Sequence, residues 1–329
     1  MPAVKIVVTD YAFDDLGVEE RVAAAAGAVI VGAQTKDPAR LAEAVADADA
    51  VITQFAPVNA DVVAAMRRAR AIVRYGIGVD NVDLAAARAH GIPVCNIPDY
   101  CIDEVADHTL AFILALTRQV APQSRLVHEG GWKLVAPPSG FRTLAGMTCG
   151  VVGFGRIGRG VVRRLAGFGG RVLVSDPVAS AEAVAAAGAV AVPLRTLLTE
   201  SDLVTLHCPS LPETKGLINA TTLAAAKPGL LVVNLSRGDL VDPDALVSAL
   251  DSGSVGGAAL DVFSPEPIPA GHAILGRSNV ILAPHVASVS VAAVQRLRTT
   301  AASIAVAATR GEPLTSIVNG VAGPRDVPA

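Results

Sequence analysis

Short runs of Val, Ile, Leu and Ala, four to six residues long, alternate along the chain with longer stretches whose apolar positions return every three or four residues. The short runs are apolar almost throughout, as strands covered on both faces must be, and the intervening stretches carry helical periodicity. The pattern therefore predicts parallel sheets wrapped by crossover helices. A first series comprises Val4-Val8, Ala28-Val31, Ala50-Thr53, Ala71-Arg74 and Pro93-Asn96. A second comprises Cys149-Gly153, Arg171-Ser175, Leu203-His207, Leu230-Leu235, Gly257-Val262 and Val280-Ala283. Two series read as two doubly wound α/β units. Between them, Cys101 to Val120 has the spacing of one helix, followed by a stretch with Pro and Gly from Pro122 to Gly146 that contains the single tryptophan, Trp132. A rim or interface role and a core role fit that tryptophan equally. Val291 to Thr309 reads as a final helix, ended by Gly311-Glu312-Pro313 before a short apolar tail, Ile317-Val318.

Composition narrows the function. At 329 residues, with 52% hydrophobic and 17% charged positions, the chain can fill two cores, which excludes wholesale disorder and disulfide mini-scaffolds. Lys plus Arg total 27 against 30 Asp plus Glu, so there is no positive field to hold nucleic acid, and 3% aromatic residues leave few stacking platforms. The four cysteines, Cys95, Cys101, Cys149 and Cys208, lie far apart without metal-ligand spacing, so neither a metal site nor a disulfide framework is expected. Met1 to Tyr11 lacks a secretory apolar segment, and Leu110 to Leu116 is too short to span a bilayer. A cytoplasmic protein that handles a small molecule and binds neither nucleic acid nor membrane is the expectation.

The first candidate chemistry is a phosphate loop. Gly150-Val151-Val152-Gly153-Phe154-Gly155-Arg156-Ile157-Gly158 places G-x-G-x-x-G directly after a strand and before the helical run Arg159 to Phe168. Gly153 and Gly155 suit a tight turn and close approach to a pyrophosphate, and Gly158 suits helix-on-strand packing. The next strand ends at Asp176, where a carboxylate accepts from ribose hydroxyls and repels a 2′-phosphate; no Arg follows in Pro177 to Ser180, so NAD is the expected cofactor. Gly76-Ile77-Gly78 lacks a third glycine and is not a second such loop.

Arg237, Glu266 and His285 each follow a strand of the second series. Carboxyl ends of strands in an open parallel sheet face the ligand crevice, so the three can converge beside a nicotinamide. Arg can fork onto a carboxylate, His can carry a proton, and Glu can hold the imidazole and favour its charged form. Spacing alone does not separate a catalytic His285 from a structural histidine at a strand end. His90, His108, His128, His207 and His272 lack such a setting and default to packing or surface roles.

Together with the dinucleotide loop, the blocks Arg74-Tyr75-Gly76-Ile77-Gly78-Val79-Asp80-Asn81-Val82-Asp83, Val233-Asn234-Leu235-Ser236-Arg237-Gly238, Leu260-Asp261-Val262-Phe263-Ser264-Pro265-Glu266-Pro267 and Pro284-His285 resemble the D-isomer-specific 2-hydroxyacid dehydrogenases over nearly the whole chain. Val94 to Tyr100 and Leu206-His207-Cys208-Pro209 look closest to that family's C-terminal-binding-protein-like branch and its bacterial relatives. The resemblance implies a Rossmann NAD domain at 100–289 inserted in a flavodoxin-like substrate domain at 1–99 and 290–329, with a cleft between them and a dimer arm at 122–146. It implies that Arg237 binds the substrate carboxylate and carbonyl, that Glu266 pairs with His285, and that His285 is the acid/base. Backbone N–H groups at Ile77 and Gly78, and Tyr100, would contact substrate. Arg156, Ile157, Cys208, Pro209, Thr214, Leu235, Ser236 and His285 would join the loop glycines and Asp176 around the cofactor, with Asp261 at the nicotinamide amide.

Two departures stand out. Ile77 replaces the Thr or Ser common in the family, leaving only a backbone role there, and Val286-Ala287-Ser288 follows the histidine where the named branch has an aromatic pair. The implied activity is reversible hydride transfer between NADH and a small 2-oxo acid. The same residues also suit an NAD(H)-sensing interaction protein, or a relative that oxidises another small anion such as phosphite. Glu266 argues against the formate dehydrogenase branch, which has Gln at that place.

Overall fold

The computed structural model describes residues 3–327. The chain divides into two units, one made of the residues up to Tyr100 together with those from Ser290 onward, the other of Cys101–Val289. Residues 1–2 and 328–329, which the sequence-based boundaries of the first domain include, lie outside the described residues.

The first unit begins with β1 (Val4–Val8), α1 (Gly17–Ala24), β2 (Ala28–Gly32), α2 (Pro38–Val45), β3 (Ala50–Thr53), α3 (Ala60–Ala65), β4 (Ile72–Arg74), α4 (Leu84–Ala89) and β5 (Val94–Cys95). The strands are parallel in the order β2-β1-β3-β4-β5. Ile6, Val7 and Val8 of β1 and all of β3 are buried, as continuous apolar runs require. Side chains of Asp37, Asn59 and Asp83 accept the free N–H groups that open α2, α3 and α4.

The second unit runs α5 (Ile102–Thr117), α6 (Val120–His128), β6 (Thr148–Val152), α7 (Arg156–Ala166), β7 (Arg171–Ser175), α8 (Ala181–Ala186), β8 (Val190–Ala191), α9 (Leu194–Glu200), β9 (Leu203–Leu206), α10 (Ala220–Ala224), β10 (Leu230–Asn234), α11 (Pro243–Ser252), β11 (Val255–Leu260) and β12 (Val280–Leu282). Its seven strands are parallel in the order β12-β11-β10-β9-β6-β7-β8. The order reverses between β6 and β9, the crevice where doubly wound sheets bind ligands. The chain then returns to the first unit as α12 (Val291–Thr309), which packs on α1, β3 and β4. Beyond it, Ile317 lies antiparallel to Cys95 and buried Asn319 bonds to Val94 N–H and Ile92 O, closing the exposed edge of β5.

Two elements differ from the sequence expectation. The stretch after Val120 opens with a helix, α6, separated from α5 by Gln119 at φ 55°; Pro122 sits in its first turn, where no intrahelical N–H is needed. β8 is a two-residue edge strand in Ala-Val sequence that carries no strand signal of its own.

Candidate active site

The glycine loop lies at the crevice between β6 and β9, and its three glycines have different reasons for being there. Gly153 has φ 94°, and a Cβ on it would come within 2.6 Å of the His207 carbonyl carbon. A Cβ on Gly158 would strike the Gly153 carbonyl oxygen. Gly155 is different: its φ is −69°, and an added Cβ meets nothing within 4 Å. The fold itself does not demand glycine there, whereas a ligand laid against the backbone would. α7 starts at the next residue without a side-chain cap, so Arg156, Ile157 and Gly158 present first-turn N–H groups to that space. This loop fits a dinucleotide pyrophosphate.

Asp176 follows β7. One carboxylate oxygen accepts the Phe154 N–H at 2.7 Å, and the other accepts Val178 and Ala179 N–H at 2.8 and 2.9 Å. Partial burial opposes ionisation, but these three donors and the nearby Arg159 charge prevail and hold the carboxyl below its usual range. Asp176 thus fixes the glycine loop through Phe154. Arg159 adds a second hold, with Nε donating to Phe154 O and the guanidinium 5.1 Å from the Phe154 ring centre.

On the β9 side, Cys208 is buried and its thiol is pushed up to about 11 by desolvation, so it is no nucleophile. The Thr214 hydroxyl donates to Pro209 O at 2.7 Å and accepts Leu211 N–H at 2.8 Å, folding the 209–214 turn. The Ser236 hydroxyl donates to Cys208 O at 2.5 Å, tying the ends of β9 and β10 together, while Leu235 is buried beside it.

The catalytic candidates are held mainly by backbone contacts. Asn234, 1% exposed at the end of β10, accepts Ser236 N–H at 3.0 Å and donates to Arg237 O at 2.8 Å, which shapes the turn carrying Arg237. A side chain at Gly238 would overlap the Phe263 backbone, so the loops after β10 and β11 touch main chain to main chain. Phe263 N–H donates to Glu266 Oε1 at 2.8 Å, and Glu266 Oε2 lies 2.9 Å from His285 Nδ1. His285 has φ 56°, a conformation that non-glycine residues rarely adopt, and its N–H donates to Asp261 O at 2.8 Å. The Asp261 carboxylate, 1% exposed, accepts Val286 and Ala287 N–H at 2.8 and 2.9 Å and so clamps the two residues that follow. Burial raises the cost of charging Glu266, yet the His285 and Phe263 hydrogen bonds and the charges of His285 and Arg237 outweigh it, leaving an ionised carboxylate. With that carboxylate on Nδ1, Nε2 is the ring nitrogen through which His285 can pass a proton to a bound molecule.

The other histidines have other duties. His207 is desolvated and pushed down to about 3, a neutral ring bonded to Thr205 Oγ1 at 2.9 Å. His90 bonds to Ala86 O, His272 accepts Ile274 N–H, and His108 meets Phe112 edge-on. His128 closes the last turn of α6. Among the described residues no cluster of His, Cys, Asp or Glu is placed to hold a metal ion, and no helix is long and apolar enough to cross a membrane.

Ile77, Gly78 and Tyr100 belong to the first unit. After β4, Gly76 has φ 138°, and the Arg74 guanidinium lies where a Cβ would stand. Gly76 O accepts Ile97 N–H at 2.9 Å and Ile77 O accepts Asn96 Nδ2 at 2.6 Å. Tyr100 is 8% exposed, with its carbonyl taken by Arg296. Preceding Tyr75 is anchored through Glu19, which it shares with Arg298. At the β1/β3 switch point, buried Asp10 accepts the N–H groups of Gln54, Phe55 and Ala56, so a carboxylate of the chain itself fills that anion position. Sequence reading did not single out Asn96, Asn234 or Asp10. Each is a buried polar residue at a strand end, and only the fold shows which backbone groups it serves.

Residues 110–287, just over half of the chain, match the NAD binding domain of the D-isomer specific 2-hydroxyacid dehydrogenases. A glyoxylate reductase of Korarchaeum cryptofilum is 40% identical over 281 residues, 84% of each chain. A D-3-phosphoglycerate dehydrogenase of Mycobacterium tuberculosis is 39% identical over 284 residues, 86% of this chain, which spans only 53% of that longer protein. The solved D-lactate dehydrogenase of Aquifex aeolicus, in complex with NAD and lactic acid, superposes with a TM-score of 0.84 at 28% identity, covering 93% of this chain and 96% of that one. The chain belongs to the D-isomer-specific 2-hydroxyacid dehydrogenase family. It is an oxidoreductase of CH–OH groups whose cofactor is NAD.

Proposed function

We propose that this protein reduces small 2-oxo acids to D-2-hydroxy acids, reversibly, with Arg237, Glu266 and His285 as its catalytic set. The observation that carries the reading is the Glu266–His285 pair at 2.9 Å, with the Glu266 loop meeting the Arg237 turn main chain to main chain at Phe263 and Gly238. Bound NADH supplies the hydride. Gly153, Gly155, Arg156, Ile157 and Gly158 receive its pyrophosphate, Asp176 its adenosine ribose, and Cys208, Pro209, Thr214, Leu235, Ser236 and Asp261 line the rest of its path. Arg237 forks onto the substrate carboxylate and polarises the adjacent carbonyl. Ile77 and Gly78, through their backbone N–H groups, and Tyr100 are the substrate contacts assigned to the first unit, with the N–H pair serving a carboxylate. His285 Nε2 gives its proton to the carbonyl oxygen as reduction proceeds, and ionised Glu266 stabilises the imidazolium beforehand. In the reverse direction the neutral ring takes the hydroxyl proton.

The substrate range proposed is that of short 2-oxo acids, in line with the glyoxylate reductase and D-lactate dehydrogenase relatives. A homodimer formed through 122–146 is part of the proposal, supported by Trp132 at 91% and Leu134 at 59% exposure on that segment. A cytoplasmic location is supported by four buried, unpaired cysteines. Incubation of the purified protein with NADH and glyoxylate, pyruvate and hydroxypyruvate in turn tests the function. Saturable NADH oxidation with a D-configured product from pyruvate or hydroxypyruvate supports it, and an L-configured product would defeat it.

A further inference from the structure

We propose that Asn96 is a positioning residue that turns the 76–78 loop into a carboxylate receptor, an inference that rests on the reading above that Ile77 and Gly78 bind the substrate carboxylate. Two successive carbonyls of this loop are captured by one neighbouring segment: Gly76 O by Ile97 N–H at 2.9 Å, and Ile77 O by Asn96 Nδ2 at 2.6 Å. In a trans peptide the N–H points opposite to the C=O of the same plane. Fixing both carbonyls toward residues 96 and 97 therefore turns the N–H groups of Ile77 and Gly78 to the opposite side together. Neither N–H has an acceptor among the described residues. Two parallel donors with their dipoles fixed in advance are what an anion requires.

The two tethers are not equivalent. The one to Gly76 is main chain to main chain and survives any side-chain change. The one to Ile77 depends on a single amide, and that amide is held in place, since Asn96 is 9% exposed and its own N–H donates to Ser316 O at 3.2 Å. Ile77 lies between two glycines, so little else prevents the 77–78 peptide from rotating. Without the amide, the Gly78 N–H is free to turn away while the Ile77 N–H stays.

Binding of oxamate, a carboxylate analogue of the smallest 2-oxo acids, to the NADH-loaded protein tests this directly. Asn96→Ala should raise the oxamate Kd and the KM for the 2-oxo acid roughly tenfold or more, as for a lost preorganised donor, with a smaller change in kcat. NADH affinity should be unchanged, because every proposed cofactor residue lies in the other unit. Asn96→Asp adds a signature of its own. An ionised carboxylate cannot donate to Ile77 O, but a protonated one can, so oxamate affinity relative to the unsubstituted protein should recover as pH is lowered, and should not recover in Asn96→Ala. Should Asn96→Ala fail to fold, the pH-dependent recovery in Asn96→Asp alone decides. Unchanged oxamate affinity in the Asn96 variants, while Arg237→Lys weakens it, would overturn the role of Asn96. Unchanged affinity in Arg237→Lys as well would overturn the carboxylate site itself.

Discussion

Replacing Glu266 with Gln removes one negative charge 2.9 Å from His285 Nδ1 and nearly preserves size. The sign of the effect follows from Glu266 itself. Burial works against its ionisation, yet the hydrogen bond and charge of His285 help to hold it below its ordinary range. A unit charge pair at 4 Å is worth about 1 kcal/mol in bulk water and about 4 kcal/mol at an effective dielectric of 20. Both side chains are about a third exposed, at 33% and 35%, so the screened end of that range applies. A loss of ~1–2 kcal/mol corresponds to about one pH unit. Steady-state reduction across pH should therefore show its alkaline limb about one unit lower in Glu266→Gln, since reduction needs the protonated ring. Alcohol oxidation needs the neutral ring, and its acid limb should move the same way. Glu266 also accepts from Phe263 N–H, and an amide offers one acceptor oxygen for two donors, so some loop stability is lost as well; a thermal melt separates that loss from the titration. Limbs that stay in place, or move to higher pH, would refute the pairing.

The glycine loop separates folding from binding. Gly155→Ala should melt within a few degrees of the parent, since a Cβ there meets nothing within 4 Å, yet bind NADH roughly tenfold or more weakly; Gly153→Ala, at φ 94° against the His207 backbone, should lower the melting temperature markedly. Fluorescence titration beside thermal melting reads both, and a Gly155→Ala variant with parental NADH affinity would remove the pyrophosphate from that space. Asp176→Ala should narrow the preference for NAD over NADP and also lower thermal stability, because three backbone N–H groups lose their acceptor. Cofactor preference that stays unchanged in steady-state kinetics would show that Asp176 is not the selector.

The two α/β units were legible because their strands are unbroken apolar runs. Val291–Thr309 appears as a helix with the bounds its pattern predicts, while α6 was obscured by Pro122, a residue that breaks helix interiors but is accepted in a first turn. β8 draws its pairing from β7, not from Val190 and Ala191 themselves. Among the candidate site residues, Gly153, Asp176 and His285 were legible by motif and strand-end position. The second duty of Asp176, the clamp of Asp261 on Val286 and Ala287 and the Asn96 tether on Ile77 involve backbone atoms of residues distant in sequence or on adjacent loops. Such contacts leave no periodicity, because every residue but proline offers the same N–H and every residue the same carbonyl.

His285→Ala tests most directly whether His285 moves the proton, with binding and turnover measured on the same preparation. NADH and oxamate should still bind saturably, with affinities lowered far less than turnover, because the loop glycines, Asp176 and Arg237 remain. Reduction of the best 2-oxo acid should fall roughly a hundred- to ten-thousand-fold, the usual cost of a lost general acid, across the whole pH range. A variant that binds both ligands and still turns over near the parental rate would contradict the assignment.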